Sequence, residues 1–267
     1  VSLLTDLTNV YHLTIKSVRG ADHAERMENF YAGQAEIYDD FRRRFLQGRE
    51  DLYARLQSLL RPASPMSRSA VQEPASIAGG VWVDLGAGTG WCLEHCGLSV
   101  GQFGKVYLVD LAPSMLKMAQ QRATSYQWDH VKTVVADAGS FRPPMAVDVV
   151  TFSYSLTMIP DWRAAIENAW RMLKPGGLIG VADFYVARKP PLNGFARHSW
   201  FTRTFWPTWF RRGDVMICSD HVPYLHERFA SLLFHEGRAH VPYLPLLRIP
   251  FYVFVGRKAE SHQTTKQ

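Results

Sequence analysis

The run Val81-Trp82-Val83-Asp84-Leu85-Gly86-Ala87-Gly88-Thr89-Gly90 passes from unbroken apolar residues into three glycines at alternate positions. It reads as a buried strand, a glycine turn and the start of a helix. Gly86, Gly88 and Gly90 allow positive φ angles and leave bare main chain for a ligand to press against, as in a nucleotide-cofactor loop. A dinucleotide fingerprint would place its last glycine at position 91, which is Trp91, so a diphosphate ligand is disfavoured. Asp84, two places before Gly86, suits a ligand that presents a positive amino group. A plain glycine-rich turn after a strand is the alternative for this motif taken alone.

The segments downstream of the turn are consistent with a cofactor loop. Val106-Tyr107-Leu108-Val109-Asp110 is a second apolar run ending in an acid about 20 residues past the turn, the distance at which a strand-end carboxylate meets ribose hydroxyls. The competing role for Asp110 is to cap a helix starting near Ser114. Val134-Val135-Ala136-Asp137-Ala138 gives a third strand with an acid at its end, and Val147-Asp148-Val149-Val150-Thr151-Phe152-Ser153 a fourth. Lys174-Pro175-Gly176-Gly177 then turns a helix end into a fifth strand, Leu178 to Asp183. Strands and helices in alternation predict an α/β fold with a doubly wound parallel sheet. A sixth strand is expected near Leu232 to Glu236, and a last, antiparallel one from Phe251 to Val255.

Composition sets outer limits. Of 267 residues, 47% are hydrophobic, enough for one large core or a core with a cap. No apolar run approaches the ~18 to 20 residues of a membrane helix, and the N-terminus lacks a signal-peptide layout. The chain begins at Val1 without a methionine, which reads as a fragment or a processed product. Three cysteines, Cys92, Cys96 and Cys218, form no Cys-x-x-Cys pair, so neither a disulfide framework nor a zinc site is expected; Cys92 and Cys96 read as small core residues. No metal is expected: the acids near the strand ends are Asp84, Asp110 and Asp137, the first two already suited to cofactor contacts, which leaves no set to converge on an ion. A formal charge of +6 suits an anionic surface, yet nothing resembles a nucleic-acid module.

Substrate choice must be written at the two ends. Residues 1–60 read as a helical cap, 61–80 as a linker rich in Pro, Ser, Ala and Gly, 81–258 as the core, and 259–267 as a disordered tail. Tyr31, Gln34 and Tyr38 fall on one helical face, turned either to the core or to a ligand. An insertion, 188–228, reads as a lid between the fifth and sixth strands. Within it Trp200, Phe201, Phe205, Trp206, Trp209 and Phe210 stand among Arg197, Arg203, Arg211 and Arg212. Aromatics beside arginines suit a membrane boundary; a lid packed into the core is the alternative.

The pattern Asp84-x-Gly86-x-Gly88-x-Gly90 resembles motif I of the class I methyltransferases, which implies a seven-stranded Rossmann-like sheet and S-adenosylmethionine as cofactor. The segment Phe30 to Asp39, the run Phe45-Leu46-Gln47-Gly48-Arg49-Glu50, the run Asp220-His221-Val222-Pro223-Tyr224-Leu225, and Val241 to Lys258 resemble, more narrowly, the methyltransferase half of betaine lipid synthase. The likeness runs from about Asn29 to Lys258. It implies trimethylation of the amino group of diacylglyceryl homoserine, a lipid substrate met at a membrane surface, peripheral attachment to the endoplasmic reticulum, and fusion to or association with an aminocarboxypropyl transferase domain absent from this sequence. It also implies cofactor contacts from Asp84, Gly86, Ala87, Gly88, Gly90, Asp110, Leu111, Met115, Asp137 (to the adenine amino group), Ala138, Ser153, Tyr154 and Gln34.

Methyl transfer to an amine needs two aligned reactants and a nitrogen that has lost a proton. His221, then His198, are the expected bases, with Tyr31 or Tyr38 to hold the nitrogen. Arg197, Arg203 or Arg212 would neutralise a substrate carboxylate, and Trp206 and Trp209 would meet the lipid. The same cofactor residues would serve an N- or O-methyltransferase of phosphatidylethanolamine or a quinone precursor, or a fold that only binds the cofactor.

Overall fold

The computed structural model describes residues 20–31, 45–60, 78–95, 100–191, 194–241 and 244–260. The described strands are β1 Gly80–Leu85, β2 Phe103–Asp110, β3 Val131–Val135, β4 Val147–Ser153, β5 Leu173–Phe184, β6 Ala230–Val241 and β7 Leu244–Arg257. The described α-helices are α1 His23–Tyr31, α2 Arg49–Leu60, the short α3 Cys92–His95, α4 Pro113–Ser125, α5 Trp162–Met172, α6 Trp200–Phe210 and α7 His221–Arg228. Strand order is β3-β2-β1-β4-β5-β7-β6. The first five strands are parallel, and β7 runs antiparallel between β5 and β6. This is the seven-stranded Rossmann-like sheet expected from the sequence, and β6 and β7 are longer than the apolar runs suggested because they pair with each other as a hairpin.

A strand covered on both faces has to be apolar throughout. Every residue of β1 is buried, and the pleat sorts its side chains between two cores. Trp82 joins the core formed with α1, α2 and α4, whereas Val81, Val83 and Leu85 join the core under α5 and α7. In α5 the buried Ala165, Ile166, Ala169 and Met172 make one stripe, and Asp161 caps the helix by accepting the Ala164 N–H at 3.0 Å.

The N-terminal segment is more than a cover. Leu52, Tyr53 and Leu56 of α2 are fully buried, and the helix lies so close to β5 that a Cβ at Gly180 would stand 2.8 Å from Leu56 Cδ1. Glu28 of α1 accepts both the backbone N–H and the hydroxyl of Ser114, at 3.1 and 2.9 Å, locking α1 onto α4. The expectations for residues 1–19, 61–77 and 261–267, like those for Gln34, Tyr38, Cys96 and the side chain of Arg212, lie outside the described residues.

The aromatic-arginine segment divides by helical face rather than acting as one surface. Ser199 caps α6 by accepting the Thr202 N–H. Trp206 is 3% exposed, with its indole N–H donated to the Arg248 carbonyl at 3.1 Å. Phe210 stacks on Phe45 with ring centroids 6.2 Å apart. Trp206, expected on the outer face, is thus a core residue, and Trp209 is partly buried against the same core; burying an indole beside Phe205 and Phe210 removes more apolar area from water than leaving it out. Trp200 and Phe201, 73% and 53% exposed, are the large aromatics of α6 left at the surface. Accordingly, Trp206→Ala should cost about 3 to 5 kcal/mol of stability and Trp200→Ala under about 0.5. Urea unfolding followed by circular dichroism measures both, and equal losses would contradict the division.

Candidate cofactor site

A cleft of about 880 Å³, partly open to solvent, lies where β1, β2 and β4 end, the position at which ligands enter open parallel sheets. On the sheet side it is lined by Asp84, Gly86, Ala87 and Gly88, by Asp110, Leu111 and Met115, by Asp137 and Ala138, and by Ser153 and Tyr154. Opposite them, α1 contributes His23, Met27 and Tyr31, and α2 contributes Arg49 and Tyr53.

The glycine turn is held from both sides. Gly86 and Ala87 donate their N–H groups to the Val109 carbonyl, at 2.8 and 3.0 Å. Gly86 has φ +76°, and a Cβ there would come within 2.3 Å of Ser155 Cβ, so this position tolerates no side chain. Asp110 accepts the Gly88 N–H at 2.8 Å and the Ala112 N–H at 2.9 Å. Helix α4 begins at Pro113, with Ala112 as its N-cap residue and no side-chain cap. Asp110 therefore ties the turn to β2 and is not the cap.

Asp84 is 2% exposed. Its carboxylate accepts the Thr151 hydroxyl at 2.6 Å and the Cys92 thiol at 3.1 Å, and Thr151 in turn accepts the Trp82 indole N–H at 2.8 Å. Burial raises its pKa to about 6 against the pull of those hydrogen bonds and of nearby Arg49. Cys92, read from the sequence as a small core residue, thus also serves the acid. Burial likewise raises the Asp110 pKa, opposed by its backbone donors. Asp137 is exposed and accepts the Gly139 N–H at 2.8 Å.

Tyr31 is buried in the cleft wall, its hydroxyl donated to Met158 Sδ at 2.8 Å. Tyr154 sits at φ +56° and donates its hydroxyl to the Gln47 carbonyl. The two histidines expected as bases are elsewhere. His221 is fully buried against Trp162, 4.7 Å between ring centroids, and burial lowers its pKa to about 3. His198 accepts the Ala187 N–H at 2.9 Å and packs on Tyr185, with a pKa lowered to about 4, first by burial and then by Arg238 and Arg203. Neither lines the cleft, and neither do Arg197, Arg203, Trp206 or Trp209; Arg197 is exposed and Arg203 half-buried.

Sequence reasoning passed over His23 and gave Arg49 no role. His23 has its Nδ1 without a hydrogen-bond partner, and burial, then Arg26, lower its pKa. Arg49 is 8% exposed, with its guanidinium 3.9 Å from the Trp91 ring centroid and its Nε likewise without a partner. A buried arginine was the available signal, but burial is not written in local sequence.

Residues 83–177 match the family model of a methyltransferase domain. The ubiquinone/menaquinone biosynthesis C-methyltransferase UbiE of Cronobacter sakazakii is 34% identical over 113 residues, 42% of this chain and 45% of that protein. The chain spans about half the length of the curated relatives it matches. Among solved structures, the N-methyltransferase NodS of Bradyrhizobium japonicum WM9 with S-adenosylhomocysteine shares the fold at TM-score 0.56 and 16% identity, covering 90% of this chain and all of that one. Haemonchus contortus phosphoethanolamine N-methyltransferase 2, with phosphomonomethylethanolamine and S-adenosylhomocysteine, does so at TM-score 0.60 and 16% identity, covering 92% and 61%. With the glycine turn, the strand-end acids and this strand order, the matched region is a class I S-adenosylmethionine-dependent methyltransferase domain. A methyltransferase domain of this class takes S-adenosylmethionine as its cofactor.

S-adenosylhomocysteine keeps a cationic amino group from pH 5 to 7, whereas Asp84, with its pKa raised to about 6, loses its charge as pH falls through that range. Affinity should therefore be full above pH 7 and fall about tenfold by pH 5 if the amino group faces Asp84. Calorimetry across this range checks it, and a flat profile would place the amino group elsewhere.

Proposed function

We propose that this protein transfers methyl groups from S-adenosylmethionine to the amino group of a lipid headgroup, trimethylating diacylglyceryl homoserine to a betaine lipid. The observation that carries the methyl-transfer reading is the convergence of Asp84, Asp110, Asp137 and the turn residues Gly86 to Thr89 on one cleft; Gly90, expected there too, is turned instead toward Leu108 and Ala119. In this reading Asp84 takes the cofactor's amino group, Asp110 the ribose hydroxyls and Asp137 the adenine amino group. Gly88 leaves room, since a Cβ there would meet only Met115 Cε at 3.4 Å. The acceptor is supported by the segments Phe30 to Asp39, Phe45 to Glu50, Asp220 to Leu225 and Val241 to Lys258, which resemble the methyltransferase half of betaine lipid synthase.

The cofactor supplies a sulfonium methyl: the N–C bond forms as the S–C bond breaks, and the nitrogen must shed a proton. Of the four groups expected to assist, Tyr31 is the one whose side chain lines the cleft among the described residues, and it is given the task of orienting the nitrogen. His23, kept neutral by its lowered pKa, is given the proton.

A second reading, methylation of a quinone precursor at carbon, is favoured by the 34% identity to UbiE. Incubation with labelled S-adenosylmethionine and a panel of diacylglyceryl homoserine, phosphatidylethanolamine and polyprenyl-benzoquinols, read by product mass, separates the two. A gain of three methyl groups on diacylglyceryl homoserine is expected. Methylation confined to the quinol overturns the lipid reading.

A lipid acceptor requires docking at a bilayer, and no described helix is long and apolar enough to cross one. The docking residues proposed are the exposed Trp200 and Phe201, beside exposed Arg197 and Arg211. Co-sedimentation with vesicles containing phosphatidylserine should fall several-fold in Trp200→Ser/Phe201→Ser and weaken with salt. Undiminished binding by this variant would move the docking face off α6.

A further inference from the structure

We infer that Arg49 holds the α-carboxylate of the cofactor's methionyl group, so that Arg49 and Asp84 together recognise an amino-acid zwitterion. The inference rests on the cofactor reading above and adds to it the anionic half of the site.

Arg49 is an arginine that the fold buries without an ion pair among the described residues. It opens α2, where Leu52, Tyr53 and Leu56 fix the helix against the sheet, so its backbone is not free to swing the side chain out. The guanidinium lies over Trp91, 3.9 Å from the ring centroid, while Nε has no hydrogen-bond partner. No carboxylate among the described residues forms a salt bridge with it. The neighbouring acid, Asp84, feels its charge but is engaged with Thr151 and Cys92. A buried cation that does not pair is costly, and a fold retains one where a ligand supplies the missing anion.

The chemistry of the lining says which anion. Both residues face the cleft, as do Trp91 and Cys92 beside them. A buried carboxylate on the sheet side of the cleft and a buried guanidinium facing it from the helical side complement an α-amino group and an α-carboxylate borne on one carbon. A guanidinium held by an aromatic ring keeps its edge for a planar, two-oxygen acceptor. The homoserine headgroup of the proposed acceptor is also an amino-acid zwitterion. Asp84 stands at the glycine turn that receives the cofactor, which assigns the pair to the cofactor's end and not the acceptor's.

The test varies the ligand first, so that no substitution can confuse it with misfolding. Titration calorimetry on the full chain would compare S-adenosylhomocysteine with its decarboxylated analogue, S-adenosyl-3-thiopropylamine, and with 5′-methylthioadenosine. The wild-type protein should bind the decarboxylated analogue weaker by on the order of 10²-fold. In Arg49→Gln, affinity for S-adenosylhomocysteine should drop to that of the analogue, with the analogue and 5′-methylthioadenosine unchanged. Equal wild-type affinities for S-adenosylhomocysteine and the decarboxylated analogue would overturn the assignment, as would an Arg49→Gln variant that binds S-adenosylhomocysteine normally but shows a raised KM for diacylglyceryl homoserine. Failure of the wild-type protein to bind any of the three adenosyl ligands would sink the cofactor reading itself, a distinguishable result.

Discussion

A carboxylate kept out of water near the end of an inner strand is the constraint around which this site is arranged. Asp84 belongs to β1, the strand flanked by β2 and β4, and desolvation pushes its pKa to about 6. Left alone it would take up a proton. Thr151 from β4 and Cys92 from the helix after the glycine turn oppose that by donating to it, and Trp82 fixes Thr151 from below. The acid's charge thus depends on three elements being in register, and any slip of β4 against β1 would remove a donor. The same register places Ser155 beneath Gly86, with its hydroxyl on the Leu85 carbonyl at 2.7 Å.

Much of this was legible because it is local. A strand, a glycine turn and an acid at fixed offsets need no knowledge of what packs above them, so β1, β2 and β4 could be read directly, whereas β3, expected at Val134 to Ala138, runs from Val131 to Val135 and leaves Asp137 in the loop after it. The histidines illustrate what is not local. His221 and His198 stand in a segment that reads as a lid, but periodicity does not say which side of the sheet an element will cover. Val222 and Leu225 draw α7 into the core shared with α5, and His221 goes with them, away from the cleft. His23 and Arg49 were undervalued for the converse reason. Each is an ordinary charged or titratable residue in sequence, and each gains meaning only when α1 and α2 close against the sheet.

The same limit explains the aromatic helix. Six large rings in eleven residues carry too little polar spacing to define a face, so composition predicted a membrane-facing surface where the fold divides the rings by turn. Residues 206 and 210 are one helical turn apart and enter the core beside Phe45 and Phe184, whereas 200 and 201 remain outside. Apolar content required that this helix bury something; only the geometry of β5, β7 and α6 decided which rings.

The division of the cleft also bears on what a sequence match can convey. The matched region, 83–177, supplies the glycine turn, the three acids and Tyr154. His23, Met27, Tyr31, Leu46, Arg49 and Tyr53, which form the opposite wall, all precede it. A match to a methyltransferase domain over that region therefore reports the sheet side of the cleft and says nothing of the helical side. That wall is rigidly coupled to the first: Glu28 joins α1 to α4, and Gly180 admits α2 to within van der Waals contact of β5. A substitution on the cleft-facing side of α1 or α2 therefore has to spare the contacts by which those helices are held against the sheet.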